Sequence, residues 1–357
     1  MFAFRVEWRW VFAVTLAFSA SLCGSSILFA QTTSTKPDVA KEGRAEWALA
    51  IHGGAGLEPD KLDAAGRERQ KAALTRAIHV GRDILSKGGT AMDAVEQTIR
   101  VLEDEPLYNA GRGAVFNNVG KHELDAAIMD GQSRKAGAVA GLTTVKNPVS
   151  LARLVMSETR HVLLIGEGAE KFADEMRDRP QIERVPNEYF STEVRRQEWL
   201  EVVAKEKAER AKAAAPQEKG PSSKSTVGCV ALDQHGNLAA GTSTGGLTNK
   251  KWGRVGSVPV VGAGTYADNR SCAVSGTGTG ELFLLNSVGF QIHALMTFRG
   301  MSLAAATDEM FTRTLPEDTG GVIAIDRQGN IAMPCNTPGM ARASLDSRGK
   351  LDIRLER

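Results

Sequence analysis

The apolar positions of the chain fall into short strand-like runs between glycine turns and into longer stretches with helical spacing. The segment "WALAIHGGAG" (Trp47 to Gly56) is typical of a buried strand that enters a glycine turn. Further strands are expected in "GAVFNN", "ELDAAIMDG", "KAGAVAGLTTV", "HVLLIG" and the hairpin "GGVIAIDRQGNIAMPCNT". Helical spacing predicts helices over residues 60–86, 90–102, 148–157, 166–176, 280–298 and 302–313. This mixture predicts an α/β fold.

A further hairpin is expected in "STVGCVALDQHGNLAAGTSTGG", where two apolar runs flank a glycine-containing turn. Several hydroxyl side chains lie at one end of this hairpin. Thr226 opens the first run, and Thr242, Ser243 and Thr244 close the second. Because the returning strand is antiparallel to the first, these hydroxyls should come back beside Thr226.

The segment before this hairpin is polar and low in complexity. "EVVAKEKAERAKAAAPQEKGPSSKS" begins with helix-forming residues and continues with Pro, Gly, Ser and Lys. This composition predicts a mobile, solvated linker over about residues 205–225. The linker ends at Thr226.

The first residues differ from the rest of the chain. Arg5 and Arg9 precede an apolar run from Trp10 to Leu22, and a break follows Ala30, which resembles a signal peptide over residues 1–30. The run is shorter than the roughly 20 residues of a membrane-spanning helix, so cleavage and export are favoured over an anchor. Residues 31–45 read as a loose leader. The protein is therefore expected to be exported, to the periplasm or the medium, with no membrane contact after removal of the signal.

Composition excludes several classes of protein. Of 357 residues 42% are hydrophobic, and 44 basic against 42 acidic residues give a net charge of +2, so nucleic-acid binding is not expected. Without the signal peptide an odd number of cysteines remains, which implies no disulfide framework. No histidine has metal-ligand spacing to another histidine or to cysteine, so a zinc site is not expected. These cysteines are Cys229, Cys272 and Cys335.

Thr226 is a candidate nucleophile. A threonine hydroxyl needs a base nearby, and cleavage of the Ser225–Thr226 bond would supply one as the free α-amine of Thr226. Such an amine titrates near 7.7–8.0 and is partly neutral at physiological pH. Threonine pairs also form hydrogen bonds across strands without any catalytic role, and the hairpin alone leaves both interpretations open.

The order of short motifs along the chain favours the catalytic interpretation of Thr226. From Trp47 to the last residues they resemble the plant-type L-asparaginase and isoaspartyl peptidase family of N-terminal-nucleophile hydrolases. The motifs are "HGGAG", "PLYNAGRGAVF", "ELDAAIMDG", "KAGAVAG", "NPVSLARLVM", "TVGCVALD", "TSTGG", "GRVG", "GAGTYAD" and "SGTGTGE".

The resemblance implies a fold, a maturation step and an activity. The fold is a four-layer αββα sandwich, a single domain over residues 46–357. Self-cleavage gives an α subunit, residues 31–225, and a β subunit, residues 226–357, which stay together as a heterodimer that pairs into a larger assembly. The mature enzyme hydrolyses β-aspartyl amide bonds in isoaspartyl peptides or asparagine, small-molecule or short-peptide substrates, through an acyl-enzyme on Thr226.

The resemblance also assigns residues. Thr244 supports the nucleophile, Thr277 and Gly278 form the oxyanion hole, and Arg254 binds the substrate α-carboxylate. The remaining substrate-binding positions are Asn109, Gly246, Val255, Gly256, Ser257, Thr279 and Gly280. No cofactor is expected for catalysis. A structural sodium ion would be held by the backbone carbonyls of Leu102, Glu103, Glu105, Tyr108, Ala110 and Arg112.

Two departures from the family pattern leave alternatives open. The residue before the nucleophile is usually glycine and here is Ser225, which tolerates a strained backbone less well. The family reads "GRVGDSP", and this chain has Ser257 in place of the aspartate that pairs with the substrate α-ammonium. The alternatives are a glycosylasparaginase, a related amidase with altered specificity at the α-amine, or an inert relative that acts as a binding protein.

Overall fold

Strand β1 (Ala48–Ala55) shows how the sequence builds two cores on the two faces of one sheet. In this computed structural model, which describes residues 44–212 and 225–357, Leu49 and Ile51 pack with helices. Ala48 and Ala50 pack against a second sheet. Successive side chains of a strand point to opposite faces, so small and large apolar residues at alternate positions suit one close sheet–sheet contact and one sheet–helix contact.

The strands form two sheets. The larger has eight strands in the order β12-β11-β1-β5-β6-β2-β3-β4, antiparallel except for β3 and β4. The smaller has the order β10-β9-β8-β7. The remaining strands are β2 (Leu124–Asp130), β3 (Ala136–Leu142), β4 (Leu163–Ile165), β5 (Val227–Leu232), β6 (Leu238–Thr244), β7 (Thr265–Ala267), β8 (Cys272–Gly278), β9 (Gly320–Asp326), β10 (Ile331–Ala332), β11 (Gly339–Asp346) and β12 (Asp352–Glu356).

Helices cover the outer faces of both sheets. One apolar cluster joins the eight-stranded sheet to α1–α4, and another joins the four-stranded sheet to α6–α8. A third lies between the sheets, so the layers are αββα, as predicted. The helices are α1 (Ala64–Ser86), α2 (Ala91–Asp104), α3 (Pro148–Glu158), α4 (Gly166–Glu175), α5 (Glu193–Lys212), α6 (Gly280–Leu285), α7 (Val288–Arg299) and α8 (Leu303–Glu309).

Capping residues explain where several helices begin. The carboxylate of Asp63 accepts a hydrogen bond from Gly66 N, and Thr90 Oγ1 accepts one from Asp93 N. Asp63 places the start of α1 after a short 3₁₀ turn at Pro59–Lys61, so the helix predicted from residue 60 begins four residues later.

The described residues belong to one compact unit.

The structure differs from the sequence predictions in four further places. The helix predicted over 280–298 is two helices, because Ser287 adopts φ 44 between α6 and α7. The end of the helix predicted over 302–313 is a π turn, Met310–Thr314. "GAVFNN" forms a loop without a strand. Strands β11 and β12, which the sequence analysis did not predict, complete one edge of the large sheet.

Part of the predicted linker is helical, and most of the predicted N-terminal segments lie outside the described residues. Helix α5 extends to Lys212, so residues 205–212 of the predicted mobile linker are helical; their Ala, Glu and Lys content favours helix. Residues 213–224 lie outside the described residues, as do the predicted signal peptide and all but the last two residues of the predicted leader. No helix in the described parts of the chain is long and apolar enough to cross a membrane.

Candidate active site

The hairpin of β5 and β6 brings the candidate nucleophile to the end of a buried strand. Val227 pairs with Ser243, so Thr226 stands opposite Thr244, and their Oγ1 atoms are 3.1 Å apart. The turn that sets this register is fixed by Asp233, whose carboxylate accepts hydrogen bonds from His235 N and Asn237 N. Thr226 is only 7% exposed, so its hydroxyl is largely shielded from water.

Only one of the three hydroxyls that close β6 reaches Thr226. Thr242 and Thr244 share the face toward the smaller sheet, where Thr242 Oγ1 contacts Ser275 Oγ at 2.7 Å. Ser243 lies on the helix face and donates to Glu103 Oε1 at 2.7 Å. The predicted antiparallel return does bring all three residues to this end of the hairpin, but Thr242 and Ser243 form no hydrogen bond with Thr226 among those of the described residues.

The bond before Thr226 is intact in this structure and is held on both sides. Ser225 Oγ donates to Gly53 O at 2.8 Å, and the carbonyl oxygen of Ser225 accepts from Asn109 Nδ2 at 2.9 Å. Asn109 also donates to Gly246 O at 2.7 Å, and its Oδ1 accepts from Val115 N. The Asn109 amide is thus fixed in orientation and polarises the carbonyl that Thr226 would attack.

Gly54 makes room for this bond. It has φ 119, and a Cβ built on it would lie 2.6 Å from Ser225 Cα and 2.8 Å from Thr226 N, and would also meet Ser225 Oγ. The register of β1 shifts between His52 and Gly54, which bends the strand at this point. Only glycine fits here.

His52 connects the nucleophile strand to the smaller sheet. Its Nδ1 lies 2.8 Å from Thr226 O, and its Nε2 lies 3.0 Å from Ser275 Oγ. Burial lowers the pKa of His52 to about 4, against a smaller opposing effect of its hydrogen bond to Thr226, so the ring is neutral at neutral pH. Nδ1 must then donate to the carbonyl, and Nε2 accepts from Ser275.

This tautomer sets the direction of a buried hydroxyl chain. Ser275 donates to His52, so its oxygen accepts from Thr242, which accepts from Thr265 Oγ1 at 2.7 Å. The chain ties β1, β6, β7 and β8 together between the two sheets. Every hydroxyl along it has a partner, so the network is rigid and holds the Thr226 carbonyl in place.

Arg254 lies across a small cavity from Thr226. Its Nε and Nη2 donate side-on to the two oxygens of Glu281, each at 2.9 Å. Side-on pairing leaves the other edge of the guanidinium, Nη1 and the second hydrogen of Nη2, for another planar anion. The Arg254 side chain is 18% exposed, and Gly280 and Gly256 lie against the guanidinium where a side chain would displace it.

The small cavity collects most of the predicted site residues. It is bordered by Leu247, Val258 and Gly276 together with ten positions predicted from the sequence: Ser225, Thr226, Thr244, Gly246, Arg254, Gly256, Ser257, Thr277, Gly278 and Gly280. Two predicted positions, Val255 and Thr279, do not line it; Thr279 instead donates from its N–H to Thr319 O and precedes α6. Asn109 contributes through the bonds described above.

The two predicted oxyanion donors stand at the end of β8. Thr277 Oγ1 accepts from Ala55 N at 3.1 Å, which fixes the hydroxyl on the β1 side of the cavity. Gly278 has φ 140, and a Cβ there would lie against the carbonyl of Thr319, so the chain passes close to β9 at this residue. In the uncleaved chain the Ser225 carbonyl is held by Asn109.

Two buried carboxyl groups lie near the hairpin. Burial raises the pKa of Glu103 to about 8, although Ser243, Val149 and Asn147 oppose the shift by hydrogen bonding. Glu103 is therefore mostly protonated at pH 7. Asp125, which pairs with Thr244 across β2 and β6, also has its pKa raised by burial, with Lys250 the main opposing charge.

The loop predicted to hold sodium curls around its own glycines. A Cβ on Gly113 would lie 2.6 Å from Pro106 O, which is not a predicted ligand, and 2.7 Å from Tyr108 O, so both carbonyls pack against this glycine. Glu103 O accepts from Arg112 N at 2.7 Å, and Glu105 O accepts from Tyr108 N at 3.3 Å. Each carbonyl has a second lone pair, so the loop is compatible with a backbone-held cation.

Sequence reasoning missed four residues that contact the site: His52, Gly54, Ser275 and Glu281. All lie within quoted motifs, His52 and Gly54 in "HGGAG" and the other two in "SGTGTGE". Their roles depend on the stacking of two sheets and on a contact between a loop and α6, which no local pattern encodes.

Comparisons with known proteins identify the family of this chain. The asparaginase family profile matches residues 45–354. An isoaspartyl peptidase of Escherichia coli is 47% identical over 298 residues, covering 83% of this chain and 91% of the relative. An isoaspartyl peptidase/L-asparaginase of Mus musculus is 40% identical, covering 86% and 90%. A plant-type L-asparaginase of Pyrococcus abyssi is 41% identical, covering 83% and 95%.

The prediction of export is wrong by the same comparisons. The related isoaspartyl peptidases, including those of Escherichia coli and Mus musculus, are generally cytosolic proteins. Residues 1–30, over which the signal peptide was predicted, lie outside the described residues.

The family predicted from the ordered motifs is confirmed, and with it the hydrolase class. Profile and relatives cover most of the chain, and the motif residues meet at the end of the β5–β6 hairpin. This chain is therefore a hydrolase that belongs to the asparaginase family.

Proposed function

We propose that this protein cleaves itself before Thr226 and then hydrolyses β-aspartyl amide bonds, in isoaspartyl peptides or asparagine, through an acyl-enzyme on Thr226. The observation that carries the proposal is that Thr226, paired with Thr244, shares one small cavity with Arg254. This cavity thus contains both a proposed nucleophile and a side chain that can bind a carboxylate. The names of the relatives, isoaspartyl peptidase and L-asparaginase, support the same substrate class.

Self-cleavage follows from the contacts of the intact bond. Thr226 Oγ1 attacks the carbonyl carbon of Ser225, whose oxygen is polarised by Asn109. The proton of Oγ1 passes to the nitrogen, the C–N bond breaks, the acyl group moves to oxygen as an ester, and the nitrogen leaves as the α-amine of Thr226. Water then hydrolyses the ester, giving a carboxylate on Ser225 and restoring the hydroxyl.

Substrate hydrolysis reuses the same hydroxyl. The free α-amine takes the proton of Thr226 Oγ1 as the oxygen attacks the side-chain amide carbon, and returns it to the departing amine. Thr277 and Gly278 stabilise the negative oxygen, and Thr244 supports the nucleophile. Water then releases aspartate from the acyl-enzyme. Apart from water, the proposed steps use only groups of the chain itself.

The free edge of Arg254 is suited to the α-carboxylate of the substrate. Glu281 holds the other edge, so the guanidinium is pre-oriented and loses little side-chain entropy on binding. Ser257, buried on the same wall, offers only a hydroxyl to the α-amine. This favours a related amidase with altered specificity at that amine as the second candidate.

The two fragments should remain together after cleavage. Strand β1 of the first fragment lies between β11 and β5 of the second, and β2 pairs with β6. Separation would break three strand pairs and open the core, so we expect a tightly held αβ heterodimer. We also propose that these αβ heterodimers pair into a larger assembly.

A sodium ion bound by the carbonyl loop is proposed as a structural element. The contacts that hold three of the predicted carbonyls, those of Glu103, Glu105 and Tyr108, within this one loop support it. Binding only to the folded state raises stability, so unfolding should occur at higher temperature in sodium chloride than in choline chloride at equal ionic strength. Equal melting temperatures would count against the ion.

The direct test of the proposal is intact mass followed by activity. Purified full-length protein, incubated at neutral pH, should yield a fragment that begins at Thr226 and ends at Arg357. The mature protein should then release aspartate from asparagine or an isoaspartyl dipeptide. A chain that stays whole and binds these compounds without cleaving them would establish the inert alternative.

Ser257→Asp should improve asparagine turnover selectively. A charge-assisted hydrogen bond is worth about 1.5–3 kcal/mol against about 0.5–1.5 for a neutral one, which predicts roughly a tenfold gain in kcat/KM. An N-acylated analogue has no ammonium and should gain nothing. The two substrates are compared on wild type and variant, and a parallel gain on both would refute this role of Ser257.

A further inference from the structure

Arg195 is a buried cation that the proposed reaction does not use. It lies in the first turn of α5, the last described helix before the Ser225–Thr226 bond, and its side chain is 9% exposed. The next residue, Arg196, is exposed. Burying a guanidinium is costly unless its N–H groups are hydrogen-bonded, so the partners of Arg195 indicate what it does.

The guanidinium of Arg195 bridges two parts of one loop. Its Nε donates to Gly113 O at 2.8 Å, and its Nη2 donates to Leu107 O at 3.2 Å. Nη1 donates to Glu198 Oε2 at 2.8 Å, which pairs the charge within α5. Because the guanidinium is planar and rigid, it fixes the separation of the two carbonyls as well as their positions.

Asn109 lies between these two carbonyls along the chain. The hydrogen bonds described above orient its side-chain amide, but the 2.9 Å contact from Nδ2 to Ser225 O also depends on where the loop places its main chain. Gly245 N donates to Asn109 O at 3.1 Å and holds that main chain on the β6 side. Arg195 holds the loop on either side of Asn109.

Resting on the proposed function, we propose that Arg195 is a positioning residue for self-cleavage. By bridging Leu107 and Gly113 it keeps Asn109 in place to polarise the Ser225 carbonyl. No described contact joins Arg195 to Ser225 or to Thr226, so its effect passes through the loop. The first turn of α5 would thus take part in maturation without touching the bond that breaks.

The test compares two neighbouring arginines of the same helix. Arg195→Met should slow the appearance of the fragment that begins at Thr226 by about tenfold or more, because small displacements of a group at the reacting bond are costly in rate. Arg196→Met should stay within about twofold of wild type. If wild type cleaves and Arg195→Met cleaves equally fast, the inference is overturned. A wild type that stays whole would refute the proposed function itself.

A double-mutant cycle separates positioning from general stability. Asn109→Ala removes the side chain through which Arg195 is proposed to act, so adding Arg195→Met to it should slow cleavage by no more than about twofold. Equal slowing with and without the Asn109 side chain would mean that Arg195 only stabilises the fold, and would overturn the inference.

Arg195→Lys decides the matter if Arg195→Met does not fold or if Asn109→Ala does not cleave. Lysine keeps the charge beside Glu198, but one ammonium nitrogen cannot take the places of Nε and Nη2 at once. Cleavage should therefore be at least about threefold slower than in wild type, at a similar melting temperature. A lysine variant that cleaves at the wild-type rate would show that the bridge between the two carbonyls is not needed, and would overturn the inference.

Discussion

Thr226→Ala should leave the chain as one band and abolish hydrolysis, a loss of about 10⁴-fold or more in kcat. The reason is that one hydroxyl is proposed to attack both the Ser225 carbonyl and the substrate. The hydroxyl lies 3.1 Å from Thr244 Oγ1, and no other hydrogen-bond partner of it appears among the described contacts, so the substitution removes one hydrogen bond. Mass spectrometry and aspartate release measure the two effects.

A conservative variant separates loss of the hydroxyl from loss of structure. Thr226→Ser keeps the hydroxyl and loses one methyl group, and it should still cleave, more slowly. Both variants should melt close to the wild-type precursor, because Asn109 and His52 contact the backbone at this place and not the side chain of Thr226. If Thr226→Ala is recovered as two fragments, the nucleophile lies elsewhere.

The sequence was a good guide to elements that carry their own signals. Helix α2 begins one residue after Thr90 because that side chain caps it, and the Asp233 turn fixes the hairpin that brings Thr244 to Thr226. Strand β11 went unpredicted, since it is buried along its whole length and lacks the clear alternation of a one-sided strand.

Contacts between distant elements were beyond the reach of local patterns. His52 and Ser275 are 223 positions apart and meet only because two sheets stack. Arg254 was assigned from "GRVG", but nothing in that motif specifies that Glu281 already holds one edge of its guanidinium. The resemblance to a family supplied the roles of these motifs, and the fold supplied the partners.

Strand β1 packs closely against the intact Ser225–Thr226 bond. The second large effect is therefore expected from a substitution in β1. Gly54→Ala should slow self-cleavage by about a hundredfold, because a Cβ 2.6 Å from Ser225 Cα and 2.8 Å from Thr226 N must push the bond away. Attack requires Oγ1 near 3–3.5 Å from the carbonyl carbon, and a displacement approaching 1 Å costs about two orders of magnitude in rate.

Gly54→Ala also strains the backbone, since Gly54 has φ 119. A control variant must therefore introduce an alanine at a positive φ without a steric clash. Gly88→Ala does so: φ there is 80, and nothing lies within 4 Å of the added Cβ. Both variants should lose some stability, on the order of 1–2 kcal/mol. Only Gly54→Ala should accumulate precursor in a time course of intact mass. Wild-type cleavage by a folded Gly54→Ala protein would mean that the bond is free to move, and would refute the view that the β1 bulge aligns it for attack.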